Sequence, residues 1–267
     1  MEKLQAALQK ARQSRKMGKE VAAPGSERLV SHGVDAHWDA LTPFEVPRQH
    51  LKKYRVVADQ AGAGSTPFDI LRTKVLLQLK QNDWKRIAIT SPMPNSGKTT
   101  MACNLALGLS RQKHLRTMLF DMDLRNPSVN EFFDIRPKYT SGDVLTGQVD
   151  FADQCMRFGH NLAVSAAHDP EPDPTRMLMS ENASQIINEV ESRYQPDVII
   201  FDMPSVMVSD DTLSFLRNAD CALIVIRANF TRFSQFDICE REVAQYTNAM
   251  GVVLNAYRYG AAGEADN

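Results

Sequence analysis

From residue 66 onward, apolar residues recur in two alternating rhythms. In "PFDILRTKVLLQLKQN", Leu71, Val75, Leu76 and Leu79 fall on one face at the three-and-four spacing of a helix. "KRIAITS" (85–91) is a short apolar run, the mark of a buried strand. A helix follows from Thr99 to about Gln112, with Ala102, Leu105, Ala106 and Leu109 at helical spacing. Further strands are predicted at 116–123, 161–167, 197–204, 221–228 and 251–257, with helices over 184–194 and around 231–246. Strands apolar on both faces need cover on both sides, and the alternating helices supply it. The pattern predicts an α/β fold: a doubly wound, mostly parallel sheet flanked by helices. Ligands of such sheets bind at the carboxyl ends of the strands.

The first 65 residues lack this rhythm. "MEKLQAALQKARQSRKMGK" (1–19) places Leu4, Ala7, Leu8 and Ala11 at helical spacing, with Lys and Arg crowding the other positions. It reads either as an amphipathic helix that docks on a partner or an anionic surface, or as a solvated basic tail. Residues 20–65 hold Pro24-Gly25, Pro43, Pro47 and "AGAGS" with little periodicity, and are expected to form an irregular linker that touches the domain in places. The expected organisation is a basic helix and linker (1–65), one α/β domain (66–257) and a short flexible tail (258–267).

Composition narrows the function classes. Among 267 residues, 43% are hydrophobic and 24% charged, which suits a soluble domain. A formal net charge of -1 provides no global field for nucleic acid, and none is expected as a partner. Cys103, Cys155, Cys221 and Cys239 lie far apart without a C-x-x-C pair, and read as buried thiols of a reducing compartment. No apolar run approaches the ~18 residues of a membrane span, and the first residues lack the apolar core of a signal peptide. A cytoplasmic protein is expected, reaching a membrane only through a partner or a surface helix. The six histidines show no metal-ligand spacing.

The candidate chemistry begins at Ser91 to Thr100, "SPMPNSGKTT". This stretch follows a buried strand and opens a helix, where free backbone N–H groups and the helix dipole favour an anion. Gly97 allows close backbone approach, Lys98 would set a point charge on phosphates, and the Thr99 hydroxyl would bind Mg²⁺. Pro94, Asn95, Ser96 and Thr100 complete the cradle, and Asn95 is a residue type that tolerates left-handed backbone. Pro92 stands where G-x-x-x-x-G-K-[ST] has its first glycine, and supplies no donor. Two further strand ends are acidic: Asp121 and Asp123 after the second, and Asp202 after the fourth. Alternation puts Asp121 and Asp123 on one side of the chain. A buried carboxylate without a partner costs several kcal/mol, and a phosphate-bound Mg²⁺ would be that partner. One such aspartate reads equally well as a helix or turn cap. Three converging on a G-K-T loop point to a nucleotide site.

These segments, "ITSPMPNSGKTTMACNLA", "TMLFDMDLRNP" and "DVIIFDMPSV", resemble the bacterial tyrosine kinases of capsule and exopolysaccharide synthesis, P-loop proteins related to MinD and ParA. Ser91, Pro94, Gly97, Lys98 and Thr99 match that family's S-x-x-P-G-x-G-K-[ST], in which Pro92 is no defect. Asp121, Asp123, Arg125 and Pro127 match its D-x-D-x-R-x-P. "SGDVLTGQ" (141–148), "DPTRMLMS" (173–180) and "GVVLN" (251–255) are similar to later segments, the last ending in Asn255, near the adenine in related ATPases. MinD and ParA proteins carry an extra lysine where this chain has Met93, which favours the kinase branch. Three departures stand out. The third acidic motif, usually D-x-P-P, reads Asp202-Met203-Pro204-Ser205. The ring-forming E-x-x-R-x-x-R falls on Asp69, Arg72 and Val75, with Lys74 one place off, so a homo-oligomer rests on an incomplete motif. The usual tyrosine-rich tail is reduced to Tyr257 and Tyr259.

The resemblance implies an ATP- and Mg²⁺-dependent transfer of the γ-phosphate to tyrosine. Lys98 and the loop amides would hold the phosphates. Thr99 and Asp202, with Asp121, would hold the metal. Asp121 or Asp123 would align the acceptor hydroxyl, and Arg125 would neutralise phosphate charge or form a surface ion pair. Tyr257 and Tyr259 are the candidate acceptors. The implied partner is a separate membrane-embedded polysaccharide co-polymerase that activates the kinase. The alternative is a MinD-like ATPase switch without tyrosine phosphorylation.

Overall fold

The computed structural model describes residues 33–257. The basic stretch 1–19, the tail 258–267 and Tyr259 lie outside the described residues. The chain divides after Ala36 into two compact units, and the architecture below is that of the larger, beginning at His37.

Eight strands form one sheet in the order β1-β4-β5-β3-β6-β2-β7-β8. They are β1 Thr42–Phe44, β2 Arg86–Ser91, β3 Thr117–Asp121, β4 Met156–Phe158, β5 Leu162–Ser165, β6 Val198–Ser205, β7 Cys221–Arg227 and β8 Asn248–Asn255. Every neighbouring pair is parallel except β4 with β5. The six apolar runs become β2, β3 and β5 to β8, so the doubly wound α/β reading holds. All eight residues of β6 are buried, as a strand covered on both faces requires.

The helix after β2, Lys98–Ser110, is buried without a break from Met101 to Leu109. A helix apolar all round belongs inside. The earlier helix Thr66–Asn82 carries Val75 and Leu79 into the same core. All four cysteines are buried free thiols.

The segment expected to be an irregular linker is partly ordered into the sheet and core. β1 pairs with β4 at the sheet edge, where Pro43 deprives no central ladder of a donor. Helix Arg48–Lys53 buries Leu51, and Val56 and Ala58 are fully buried. One side chain holds the following stretch down. Asn104, completely buried in the helix Lys98–Ser110, accepts at Oδ1 from the Val57 and Ala58 N–H groups (2.9 and 3.1 Å). Its Nδ2 donates to the carbonyls of Arg55 (3.0 Å) and Thr100 (2.8 Å). All four valences of the amide are filled.

Candidate functional site

β2, β3 and β6 lie side by side and in parallel, so their carboxyl ends open at one edge, with Asp121 directly opposite Asp202. The loop after β2 turns through left-handed backbone at Asn95 (φ 61°) and Gly97 (φ 90°). Asn tolerates that region and Gly is indifferent to it. The Ser91 and Ser96 hydroxyls both donate to the Met93 carbonyl at 2.8 Å. The Ser91 proton being used there, Ser205 donates to Ser91 Oγ across 3.0 Å. Pro92 sits at the corner, its carbonyl accepting from the Met207 N–H at 3.2 Å. Two side chains from elsewhere fasten the loop: Asn255 Nδ2 donates to Ser96 O (2.9 Å) and Arg227 Nη1 to Asn95 O (3.1 Å). A Cβ on Gly97 would run into Asn255 Nδ2.

The three aspartates occupy different environments. Asp123 meets Lys98, with Nζ 3.3 Å from Oδ2 and each side chain about nine-tenths buried. Asp121 is fully buried and already served by the backbone. Its Oδ2 accepts from Ser128 and Val129 N–H at 3.0 Å each, and its Oδ1 from Asp123 N–H at 3.3 Å. Burial, reinforced by the facing Asp202, still holds its pKa well above the usual carboxylate range.

Asp202 is equally buried, but neither Oδ1 nor Oδ2 has a hydrogen-bond partner at normal geometry. Burial pushes its pKa up to about 7, against the Lys98 charge and the nearby Thr99 hydroxyl, which both favour the ionised form. The Cys103 thiol below is driven up by burial and by the same two carboxylates.

A cavity of about 460 Å³ opens over this edge. Of the sequence-derived candidates its wall includes Pro94, Asn95, Gly97 to Thr100, Asp123 and Arg125. Ser96, Asp121, Asp202 and Asn255 lie off the wall: Ser96 and Asn255 brace the loop, and the two aspartates are fully buried at the adjoining strand ends. Tyr257 is 59% exposed, two residues past the end of β8. Of the ring-motif positions, Asp69 accepts from both Arg72 (2.9 Å) and Arg111 (2.7 Å), Arg72 also donates to Gly108 O, and Val75 is in the core.

Of the two expectations for Arg125, the ion pair is the one present: the side chain reaches the cavity wall with its guanidinium on Asp211. Nε and Nη2 fork onto the two carboxylate oxygens of Asp211, and Nη2 also donates to Thr175 Oγ1 at 3.1 Å. Burial raises the Asp211 pKa, but the Arg125 and Thr175 hydrogen bonds outweigh it and leave the carboxyl below its usual range. Asp211 and Thr175 were not among the sequence candidates. Their partner is 86 and 50 residues away, beyond any local pattern.

The donor set suits a hard cation shared with a polyphosphate. A carboxylate with two unsatisfied oxygens and a hydroxyl sit beside backbone amides and an ammonium. Among the described residues no group of three His, Cys, Asp or Glu side chains forms a metal cage of its own.

Comparison with known proteins agrees with this geometry. Residues 87–266 match the CobQ/CobB/MinD/ParA nucleotide binding domain family. Tyrosine-protein kinase CpsD of Streptococcus pneumoniae serotype 4 is 29% identical over 182 residues, covering 67% of this chain and 79% of that protein. The crystal structure of the VpsO kinase domain superposes with a TM-score of 0.64 at 26% identity, covering 73% of this chain and 96% of that one. The fold is shared more distantly with the septum site-determining protein MinD of Pyrococcus horikoshii OT3, solved with Mg-ADP (TM-score 0.53, 19% identity, 66% and 71% covered). The chain belongs to the CobQ/CobB/MinD/ParA nucleotide-binding family and, within it, is similar to the bacterial tyrosine-protein kinases.

Proposed function

We propose that the chain is an ATP- and Mg²⁺-dependent protein-tyrosine kinase of capsule or exopolysaccharide assembly. The observation that carries the reading is Asp202, a buried carboxylate with two unpartnered oxygens beside Lys98 and Thr99. Such a group calls for a cation. When bound, Mg²⁺ would neutralise charge on the transferring phosphoryl group. Asp202 and Thr99 would hold it, with Asp121 facing Asp202 as the third member of the set.

Phosphoryl transfer needs placement and charge stabilisation rather than covalent chemistry. The loop amides and Lys98 bind and orient the phosphates. Asp123, on the cavity wall, is the carboxylate we assign to aligning the acceptor hydroxyl. A tyrosine hydroxyl titrates near 10, so alignment matters more than early deprotonation. Tyr257 and Tyr259, which follow the strand that braces the loop, are the acceptors we assign. Arg125 is assigned a place in the architecture instead of a phosphate contact.

Among the described residues no helix is long and apolar enough to cross a membrane. We place the chain in the cytoplasm, at the membrane face through a separate co-polymerase partner. Self-association would use surfaces other than Asp69 and Arg72, which are bonded within the chain. The match to the CobQ/CobB/MinD/ParA nucleotide binding domain supports a second reading, an ATPase switch.

A transfer assay with γ-labelled ATP and Mg²⁺, with and without the cytoplasmic part of the co-polymerase, separates the two. Label on tyrosine that disappears in Lys98→Met supports the kinase. Released phosphate without labelled protein supports the switch. Neither product, with or without the partner, refutes both.

A further inference from the structure

The loop after β3 carries Asp123 and β6 carries Asp202, and one clasp of side chains ties the two pieces of chain together. Arg125, two residues past Asp123, is gripped by both oxygens of Asp211, at 2.5 Å to Nε and 3.0 Å to Nη2. Thr175 closes the triangle. Its hydroxyl accepts from Arg125 Nη2 and lies within hydrogen-bonding distance of Asp211 Oδ1 and Asp210 Oδ1. Three separate pieces of chain meet here: the β3 loop, the helix Pro174–Leu178 and the helix Asp211–Phe215.

The Asp211 end is rigid. Asp211 is 1% exposed, and the hydroxyl of the next residue, Thr212, donates to Pro204 O, two residues beyond Asp202. Thr90 of β2 donates to the same carbonyl at 2.7 Å. The clasp therefore runs from Asp123 through Arg125, Asp211 and Thr212 to the strand end that holds Asp202.

We infer that Asp211 and Thr175 are positioning residues, which act through the Arg125 guanidinium to hold Asp123 against Lys98. A forked arginine–carboxylate pair fixes direction as well as distance. The backbone on either side of Asp123 is held by Met122 N–H on Asp202 O and Glu171 N–H on Leu124 O, while Asp123 itself bonds to Lys98, the Asp121 carboxylate and the Asn126 N–H. The inference rests on the phosphoryl-transfer reading of the cavity, and extends it to two residues that touch neither nucleotide nor acceptor.

The test compares Thr175→Val, Thr175→Ser and Asp211→Asn in the full chain. Nucleotide affinity is measured by calorimetry with ATP and Mg²⁺, and turnover by steady-state kinetics. A misplaced reacting group costs up to about 100-fold in rate. Thr175→Val is expected to lower kcat about five- to tenfold and Asp211→Asn about 30- to 100-fold, with ATP affinity within about threefold of wild type. Thr175→Ser, which keeps the hydroxyl, is expected to recover kcat to within about twofold. A merely structural role would move affinity and kcat together and would not separate Ser from Val. Wild-type kcat in Thr175→Val and Asp211→Asn, or a defect in Thr175→Ser equal to that in Thr175→Val, overturns the inference.

If the wild-type protein turns over no ATP, the functional reading fails by itself. Hydrogen exchange then decides the clasp, because the Met122 and Asn126 amides are bonded to Asp202 O and Asp123 O. Faster exchange at those amides in Thr175→Val than in Thr175→Ser supports the clasp, and equal exchange overturns it.

Discussion

Replacing Asp202 with Asn should stabilise the nucleotide-free protein while removing its response to Mg²⁺ and ATP. Burial raises the Asp202 carboxyl from 3.8 to about 7. A group raised in this way contributes stability that is complete below its unfolded pKa near 4 and lost as pH rises through the folded value. At pH 5 the folded side chain is protonated; at pH 8 it is charged and unsatisfied. Linkage over that interval costs the wild-type protein about 2 to 3 kcal/mol from this residue alone, at ~1.4 kcal/mol per pH unit. Asn is neutral throughout and escapes the loss, though its amide meets the same lack of partners. The advantage of Asp202→Asn over wild type should therefore be larger at pH 8 than at pH 5. The difference should be about 2 to 3 kcal/mol, or roughly 5–10 °C in Tm for a chain of this size. Thermal melts in EDTA at both pH values measure it, and a second pair with Mg²⁺ and ATP at pH 8 should raise Tm only for wild type. The reasoning fails if the variant's advantage is the same at both pH values. It fails equally if Mg²⁺ and ATP stabilise the variant as much as wild type.

Three further outcomes follow from the geometry. Lys98→Met removes the ammonium from the phosphate site and the partner of Asp123, and should weaken ATP binding at least about tenfold by calorimetry, as a lost charged contact of ~1.5–3 kcal/mol implies. Gly97→Ala forces a left-handed residue into Asn255 and should cost about 1–2 kcal/mol from the backbone alone; adding Asn255→Ala should return part of the lost Tm by removing the collision. Asn104→Ala removes a buried amide and its four hydrogen bonds to backbone and should destabilise by about 3 kcal/mol, seen as a urea midpoint shift with unchanged slope.

The sheet was legible because six strands read as apolar runs, five of them mainly buried and the sixth, β8, half-open at the sheet margin, and the phosphate-loop pattern fixes which strand leads into it. β1 and β4 were not. Each has three residues, "TPF" and "MRF", too few for a period to show. Within the linker expected to touch the domain in places, residues 42–58 hide their order for the same reason: Pro43 and Pro47 interrupt any rhythm, while Leu51, Val56 and Ala58 are held by tertiary contacts. Asn104 did carry a signal, a lone amide in an apolar helix, since a buried polar residue must find partners. At the site, alternation placed Asp121 and Asp123 together, but β3 ends at Asp121 and strand geometry no longer governs Asp123. The pairing of Arg125 with Asp211 joins distant segments and leaves no trace in spacing.

β1 lies at one margin of the sheet, and its partner β4 comes late in the sequence: Thr42 faces Met156. On the ribosome, residues 42–44 emerge long before the strand that receives them, and β2, the next strand made, sits far across the sheet. Pairing across so long a loop must await closure of the intervening chain. The amino-terminal segment should therefore be the last part to lock during folding, with the Asn104 clamp as its first anchorage, and the nucleotide loop can take shape before the margin of the sheet is sealed.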